Sequence, residues 1–516
     1  MRSIATVGGF TLVSRILGFA RDILLASLLG AGFVSDCFFV AFKLPNFFRR
    51  LFAEGAFSAA FVPLFGERLE TEGEEAARRF SEDAFAMLLA VLLGFLAVMQ
   101  VIMPWAMYLL APGFSDDPSK FDLAVILTRI TFPYLLLVSL VSLLGGVLNS
   151  LGRFAAVAGT PILLNLAMIG CLWALRPVVP TAGHAAAIGV TLGGVLQLLW
   201  LIIECRRLKV APRLRLPRMT PGVRLLLRRM APGVVGAGAV QINLMVDVVL
   251  ASLLPSGALS FLFYADRLNQ LPLGVIGIAV STAILPLLSR QLAAGSHDAA
   301  MANHNRAVEL ALLLTLPAAA ALIAVPGPLI AGLFQRGEFT AADTAATAWA
   351  LIAYASGLPA YVLIKVLVPG FYARGDTGTP VKFSMVALLC NFGLNLALMI
   401  PLQHAGLALA TAIAAWVNAL LLLIRLMRNR HFVADARLKR RLPRILAASA
   451  LTGLALFAAA AGAGPLLPAQ EGGRIALTVL LVVLGLILYG VLGKVLGAYA
   501  VSDLKSLLRR GGSPAA

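Results

Sequence analysis

Apolar runs long enough to cross a bilayer follow one another along nearly the whole chain, and no soluble fold has room to bury so many. A spanning helix takes ~20 residues, and segmentation on that length yields about fourteen spans. They lie near 4 to 30, 33 to 66, 82 to 111, 122 to 149, 155 to 175, 184 to 204, 224 to 253, 257 to 290, 306 to 334, 345 to 373, 381 to 401, 405 to 427, 443 to 463 and 474 to 498. Of 516 residues, 60% are hydrophobic and 13% charged, against roughly 25% charged in soluble domains. The mean hydropathy is +0.92. The expectation is an all-α polytopic membrane protein.

Basic residues set the orientation. Loops after even-numbered spans hold Arg68, Arg78 and Arg79, then Arg206 through Arg218, then Arg374, then Arg428 through Arg441. Opposite loops hold little beyond Lys120, Arg176 and Arg336. By the positive-inside rule both termini are cytoplasmic, and the locality is a bacterial inner membrane once the resemblance below is added. The net charge of +18 then reads as topology and attraction to lipid headgroups, the run from Arg425 to Arg444 above all, with no nucleic-acid partner. No signal peptide is expected, because Arg15 interrupts the first apolar run and no small-residue cleavage site follows it. Cys37, Cys171, Cys205 and Cys390 are dispersed without disulfide or metal spacing.

The chain echoes itself. FVPLFGERL at 61 to 69 returns as ILPLLSRQL at 284 to 292, and GGVLNSLGRFAAVAGTPILLNLAMI, ending at 169, returns as PGFYARGDTGTPVKFSMVALLCNFGLNLALMI, ending at 400. The offsets imply six spans repeated as six, as a parallel repeat about an axis along the membrane normal, with two spans appended. The expected divisions are 1–206 and 220–428 for the two lobes, 440–500 for the last two spans and 501–516 for a cytoplasmic tail. Transporters built from repeats bind substrate between them and rock between two openings.

Charges sit inside the first two spans: Arg15, Arg21, Asp22, Asp36, Lys43, Arg49, Arg50 and Glu54. Each costs at least ~2.5 kcal/mol at the centre of a spanning helix, so such groups face a partner or a wet cavity. At helical spacing Arg15, Gly18, Asp22 and Ala26 share a stripe with Arg21 about 100° aside, and Asp36, Lys43, Arg50 and Glu54 share another. Pro45 should kink the second span, so either Arg49 or Arg50 faces inward. Ser260, Asp266 and Arg267 open the eighth span. Guanidinium forks match phosphate oxygens and stay charged, so an arginine-lined cavity suits a diphosphate; the structural alternative is that Arg21 pairs with Asp22 and Arg267 with Asp266. Asp247, alone in the seventh span, together with Asn391, Asn395 and Thr411 suits Na⁺ or a proton as coupling ion, or else a protonated acid bonded to a neighbouring helix. No enzyme motif is present. The five histidines, His304 among them, read as solvated, and Trp105, Trp173, Trp200 and Trp349 as interfacial anchors.

SRILGFARDILLASLLGAGFVSDCFFVAFKLPNFFRRLFAEGAFSAAFVPLF, FYADRLNQLPLGVIGIA and KVLVPGFYARGDTGTPVK strongly resemble the MurJ (MviN) family of lipid II flippases, within the multidrug/oligosaccharidyl-lipid/polysaccharide exporter superfamily. The resemblance implies outward flipping of undecaprenyl-diphosphate-linked peptidoglycan precursor by a transporter that is no enzyme, carries no cofactor and works as a monomer. It implies that Arg15, Arg21, Asp22, Asn46, Arg49 and Arg267 line the cavity, that Asp36 and Ser260 line a periplasmic gate, with Glu54 set beside them, and that the last two spans form a groove for the lipid tail. Asp247, Asn391, Asn395 and Thr411 resemble the family's sodium site, although an asparagine stands where a second acid could; H⁺, Cl⁻ and voltage stay open as drivers. Two other readings compete. A drug or cation antiporter of the same superfamily calls for acids where this cavity has arginines, and a membrane glycosyltransferase calls for a sizeable outer loop.

Overall fold

The computed structural model describes residues 2–50, 57–274, 278–463 and 470–500, which contain helices and no strand. Two compact units emerge, one of residues 1–260 with 337–339, the other of 261–336 with 340–516. Nine helical segments among the described residues are long and apolar enough to cross a membrane. Their outward surfaces stay apolar: Trp105, Trp173 and Trp349 are more than half exposed, as rings that face lipid should be.

The first unit comprises α1 (Arg2–Leu29), α2 (Phe33–Phe48), α3 (Ser58–Thr71), α4 (Glu74–Leu110), α5 (Pro118–Thr131), α6 (Pro133–Ser150), α7 (Phe154–Ala174), α8 (Ala182–Arg207) and α9 (Pro221–Ser252). α1 packs on α7, α7 on α8, and α2 on α5. A proline divides one span that hydropathy joins: the expected 122 to 149 segment is α5 and α6, parted at Phe132 before Pro133. Within the expected 33 to 66 segment, α2 and α3 lie on either side of residues 51–56, which are outside the described residues. One core cluster of this unit sets a phenylalanine stack among leucines and valines, with Phe61 stacked on Phe57, Phe65 and Phe80.

α10 (Ala258–Pro272) crosses the boundary between the units. The second unit continues with α11 (Ile278–Ala293), α12 (His297–Ala324), α13 (Pro326–Phe334), α14 (Ala341–Tyr372), α15 (Gly378–Arg428), α16 (Ala436–Ala463) and α17 (Glu471–Val495). Here hydropathy separates what the backbone nearly joins, since the expected 381 to 401 and 405 to 427 spans are one element, α15, broken at Gln403 (φ 49°, ψ −132°). α16 packs on α12, and α17 on α16 and α13.

The repeat is visible in backbone geometry as well as in letters. Gly152 (φ 74°) and Gly375 (φ 76°) turn the chain at the same point of each half, and each is followed by one long-reach bond, Arg153 N to Leu148 O (2.8 Å) and Asp376 N to Phe371 O (3.1 Å). Each half also closes on a left-handed cationic residue, Lys209 (φ 60°) and Arg430 (φ 54°), with Val210 N bonded to Cys205 O and His431 N to Leu426 O. Left-handed caps usually fall to glycine; two long side chains at matching positions mark a shared device.

Candidate functional site

On α1 the charged face packs against α7. Gly18 faces Asn165 there, at a distance where a Cβ would make ordinary van der Waals contact with Asn165 Nδ2 (3.5 Å). Arg21 Nε and Nη2 donate to Asp22 Oδ1 at 3.0 and 2.7 Å, Arg21 Nη1 donates to Asn165 Oδ1 at 2.9 Å, and Asn165 Nδ2 donates to Ser14 O at 3.0 Å. Arg21 and Asp22 are both buried. The guanidinium therefore folds back on its neighbour, and most of its five donors are committed. Arg15, one turn before Gly18, is exposed.

A second charged centre forms where α2, α5 and the start of α10 meet. Asp36 is buried and accepts four hydrogen bonds: from Lys120 Nζ (3.1 Å) and Gly257 N (2.7 Å) on Oδ2, and from Ser260 N (3.1 Å) and Ser260 Oγ (2.7 Å) on Oδ1. A carboxylate has about four lone-pair sites, so its capacity is filled. Ser35 Oγ lies 2.8 Å from Ser260 Oγ. Lys120 Nζ also donates to Ser256 Oγ at 2.9 Å and sits 4.4 Å from the centroid of the Phe114 ring. The structure thus joins two residues singled out in the sequence, Asp36 and Ser260, through partners 84 and 224 positions away.

At the far end of α2, the helix runs through Pro45 to Phe48. Asn46 Nδ2 donates to Phe42 O at 2.7 Å and Arg49 Nε to Asn46 Oδ1 at 3.0 Å, so Asn46 orients Arg49. Arg49 is half-buried and Arg50 exposed. Glu54 lies outside the described residues.

In the second unit, the Arg267 guanidinium lies 4.6 Å from the centroid of the Phe263 ring, and Asp266 accepts from Gln270 Nε2. Asn391 and Asn395 are buried and linked, Asn395 Nδ2 donating to Asn391 Oδ1 at 3.2 Å and Asn391 Nδ2 to Thr411 Oγ1 at 3.4 Å. Thr411 in turn donates to Leu407 O at 3.0 Å. Asp247 is half-buried on α9, in the first unit. Among the described residues no cluster of three histidine, cysteine or acidic side chains could hold a metal.

Several polar residues that matter escape a reading of the sequence. Lys120 reads as a loop cation and is buried on Asp36; Asn165 carries no charge to betray it. Glu82 and Glu309 sit near the ends of apolar runs, and both are buried. Glu82 takes Arg215 Nε at 2.7 Å and Arg213 N at 3.3 Å. Glu309 takes Arg306, Arg437 (3.1 and 3.2 Å) and Arg441 (2.5 Å), while Arg306 also bonds Asp435. His304, expected in solvent, is 1% exposed, with Nε2 3.1 Å from Val366 O; α12 starts nine residues before the expected apolar run at 306 and carries it inside. Outside the spanning segments, the Thr379 N–H holds the Asp376 carboxyl below its usual range. Burial, with the Arg374 charge second, holds His431 below the ordinary imidazole value.

A multi-pass helical protein with a buried arginine and a saturated internal aspartate has known relatives. The family model for lipid II flippase MurJ matches residues 25–465. The probable lipid II flippase MurJ of Rhizobium meliloti is 42% identical over 519 residues, covering 99% of this chain and 97% of that protein. The lipid II flippase MurJ of Burkholderia cenocepacia is 38% identical over 434 residues, covering 83% and 84%. Among solved structures, a lipid II flippase MurJ in an inward closed conformation superposes with a TM-score of 0.79 at 25% identity, covering 95% of this chain and 98% of that one. An inward-facing multidrug MATE transporter of the MOP superfamily shares the fold alone, with a TM-score of 0.64 at 14% identity over 84% and 99% of the chains. The chain belongs to the MurJ family of lipid II flippases.

Proposed function

We propose that this protein is a transporter that carries lipid II, the undecaprenyl-diphosphate-linked peptidoglycan precursor, from the cytoplasmic to the periplasmic leaflet of a bacterial inner membrane. The family assignment supports the substrate. The observation that carries the mechanism is the saturated Asp36, whose ligands Gly257 N, Ser260 N and Ser260 Oγ come from the residue before α10 and from its first turn. Such a contact forms or breaks as a set. In this reading it is the periplasmic latch, closed while substrate enters from the cytoplasm, with both termini on the cytoplasmic side.

Arg15, Arg21, Arg49 and Arg267 receive the diphosphate. Asp22 and Asn165 orient Arg21, and Asn46 orients Arg49, so two guanidinium planes are set before substrate arrives, which lowers the ordering cost of binding. Moving an anion outward from a negative cytoplasm is favoured by ~2.3 kcal/mol per charge per 100 mV. For a diphosphate of roughly two charges the potential contributes about 4 to 5 kcal/mol on that basis. The emptied cationic site is drawn back by the same field. Asn391, Asn395 and Thr411 supply oxygens for a coupling cation with Asp247 as its charge; the protein works as a monomer.

The test is depletion-rescue in a bacterium lacking its own flippase, scoring externally accessible lipid II at matched expression. Wild type restores it, and Arg21→Ala and Arg267→Ala do not. Full activity of both variants would refute the cationic route.

A further inference from the structure

The end of the first unit that carries the basic 208–220 linker holds a cavity of about 240 Å³ which the transport cycle above does not use. Its walls include Phe65, Val147, Leu151 and Leu208, all buried or half-buried, and its charged lining is Glu74, Arg78 and Arg153. Arg78 Nη2 donates to Glu75 Oε2 at 2.9 Å. Arg153 is exposed and, among the described residues, no ion pair holds it.

The same place one repeat later is closed. Where the first half has Ser81, Leu151 and Arg153, the second has His304, Arg374 and Asp376, each 223 positions on (81 to 304, 151 to 374, 153 to 376). The His304 ring fills the space beside Gly370, where even a Cβ would come within 2.7 Å of it, and meets Phe432 edge-on at 5.2 Å. Arg374 turns inward onto Gly370 O (2.6 Å) and His431 O (3.4 Å). Asp376 caps the following helix through Thr379 N at 2.9 Å. One scaffold thus carries a plugged version and an open version with a cation at its lip.

We propose that the open version binds the phosphoglycerol headgroup of an anionic phospholipid. Arg153 and Arg78 take the phosphodiester oxygens in the geometry guanidinium offers. Glu74 accepts from the glycerol hydroxyls, which disfavours a bare phosphate dianion at the same spot. The apolar walls take the first carbons beyond the phosphate. Drug-sized ligands need roughly 300–1,000 Å³, so this volume suits a headgroup and not a whole lipid. The site lies beside the start of α4 and the ends of α6 and α8, at the ends of apolar helices. The orientation proposed above decides only which leaflet supplies the lipid.

The test uses the full-length protein purified in detergent, with binding read by native mass spectrometry and by thermal shift. Dihexanoyl-phosphatidylglycerol, -phosphatidylethanolamine and -phosphatidylcholine are compared with inorganic phosphate at equal concentration. Phosphatidylglycerol should bind at least tenfold more tightly than the other three. Arg153→Gln should lose about that tenfold preference, and Ser81→His, which installs the second half's plug, should abolish binding. Arg153 is exposed, so its variant folds even if the plug does not. Equal binding of any zwitterionic lipid, a phosphate response matching that of phosphatidylglycerol, no binding at all, or wild-type binding by Arg153→Gln would overturn the proposal. Since the readout is binding, a failed rescue assay leaves this result standing, and the reverse also holds.

Discussion

Asp36 in the first unit and Glu309 in the second are both buried carboxylates that tie together distant stretches of chain, and they do so by opposite means. Asp36 balances one charge, Lys120, and draws its other three bonds from neutral donors, two of them backbone N–H groups. Glu309 gathers three arginines, one of which it shares with Asp435. Water can replace backbone and hydroxyl donors at a net cost of about 0.5–1.5 kcal/mol each. It cannot cheaply separate a buried carboxylate from several cations. A junction of the first kind can open during a cycle; one of the second kind holds α12 to the 433–441 segment throughout.

Breaking the permanent junction should have the largest effect. Glu309→Ala leaves Arg306, Arg437 and Arg441 facing one another, and removing one partner of a buried pair costs about 3–5 kcal/mol. Because Arg437 is 39% exposed, the low end of that range applies, visible as a lower melting midpoint and a smaller folded yield. A wild-type melt would erase the contrast. Next comes Asp36→Asn, which removes the counter-charge of Lys120 but keeps an amide oxygen to accept from it, and should cost about 1–3 kcal/mol while abolishing transport. Adding Lys120→Met should restore the melting midpoint without restoring transport, because no buried charge is then left unpaired. If the double variant stays unstable, the neutral donors and not the ion pair dominate. Smallest is Ser260→Ala, about 0.5–1.5 kcal/mol for one hydroxyl bond, detectable as a modest fall in melting midpoint with Asp36 still held by Lys120 and two N–H groups.

The contrast also explains what the sequence could disclose. Arg21, Asp36 and Arg267 are conspicuous because a charge inside an apolar run violates the expected pattern, and the repeat is conspicuous because G-T-P recurs and P-L-F returns as P-L-L. What completes the sites is quieter. Lys120 sits just past the start of α5, where a cation reads as solvated, and only the fold of α5 against α2 buries it. Asn165 is one amide in a long apolar helix. The parting of 122–149 into α5 and α6 leaves no hydropathy signal because both pieces are apolar, and the break at Gln403 sits where hydropathy merely dips. Charge misplaced in one dimension can be read directly; neutral partners and bends acquire meaning only from neighbours distant in the chain.

Gly337, Glu338 and Phe339 belong with the first unit although the residues on either side belong with the second. The N–H of Glu338 donates to Ser27 O at 2.9 Å. Gly337 (φ 56°) has to be glycine, since a Cβ would fall 2.1 Å from that same oxygen. The end of α1 is therefore among the first segments synthesised and among the last to be finished. More than half the chain must leave the ribosome before its partner exists, a wait of tens of seconds at about 5–20 residues per second. During that interval the insertion machinery holds a charged first helix whose closing contact has not yet been made. Variants at Gly337 should therefore register as losses in biogenesis before any loss of transport can be measured.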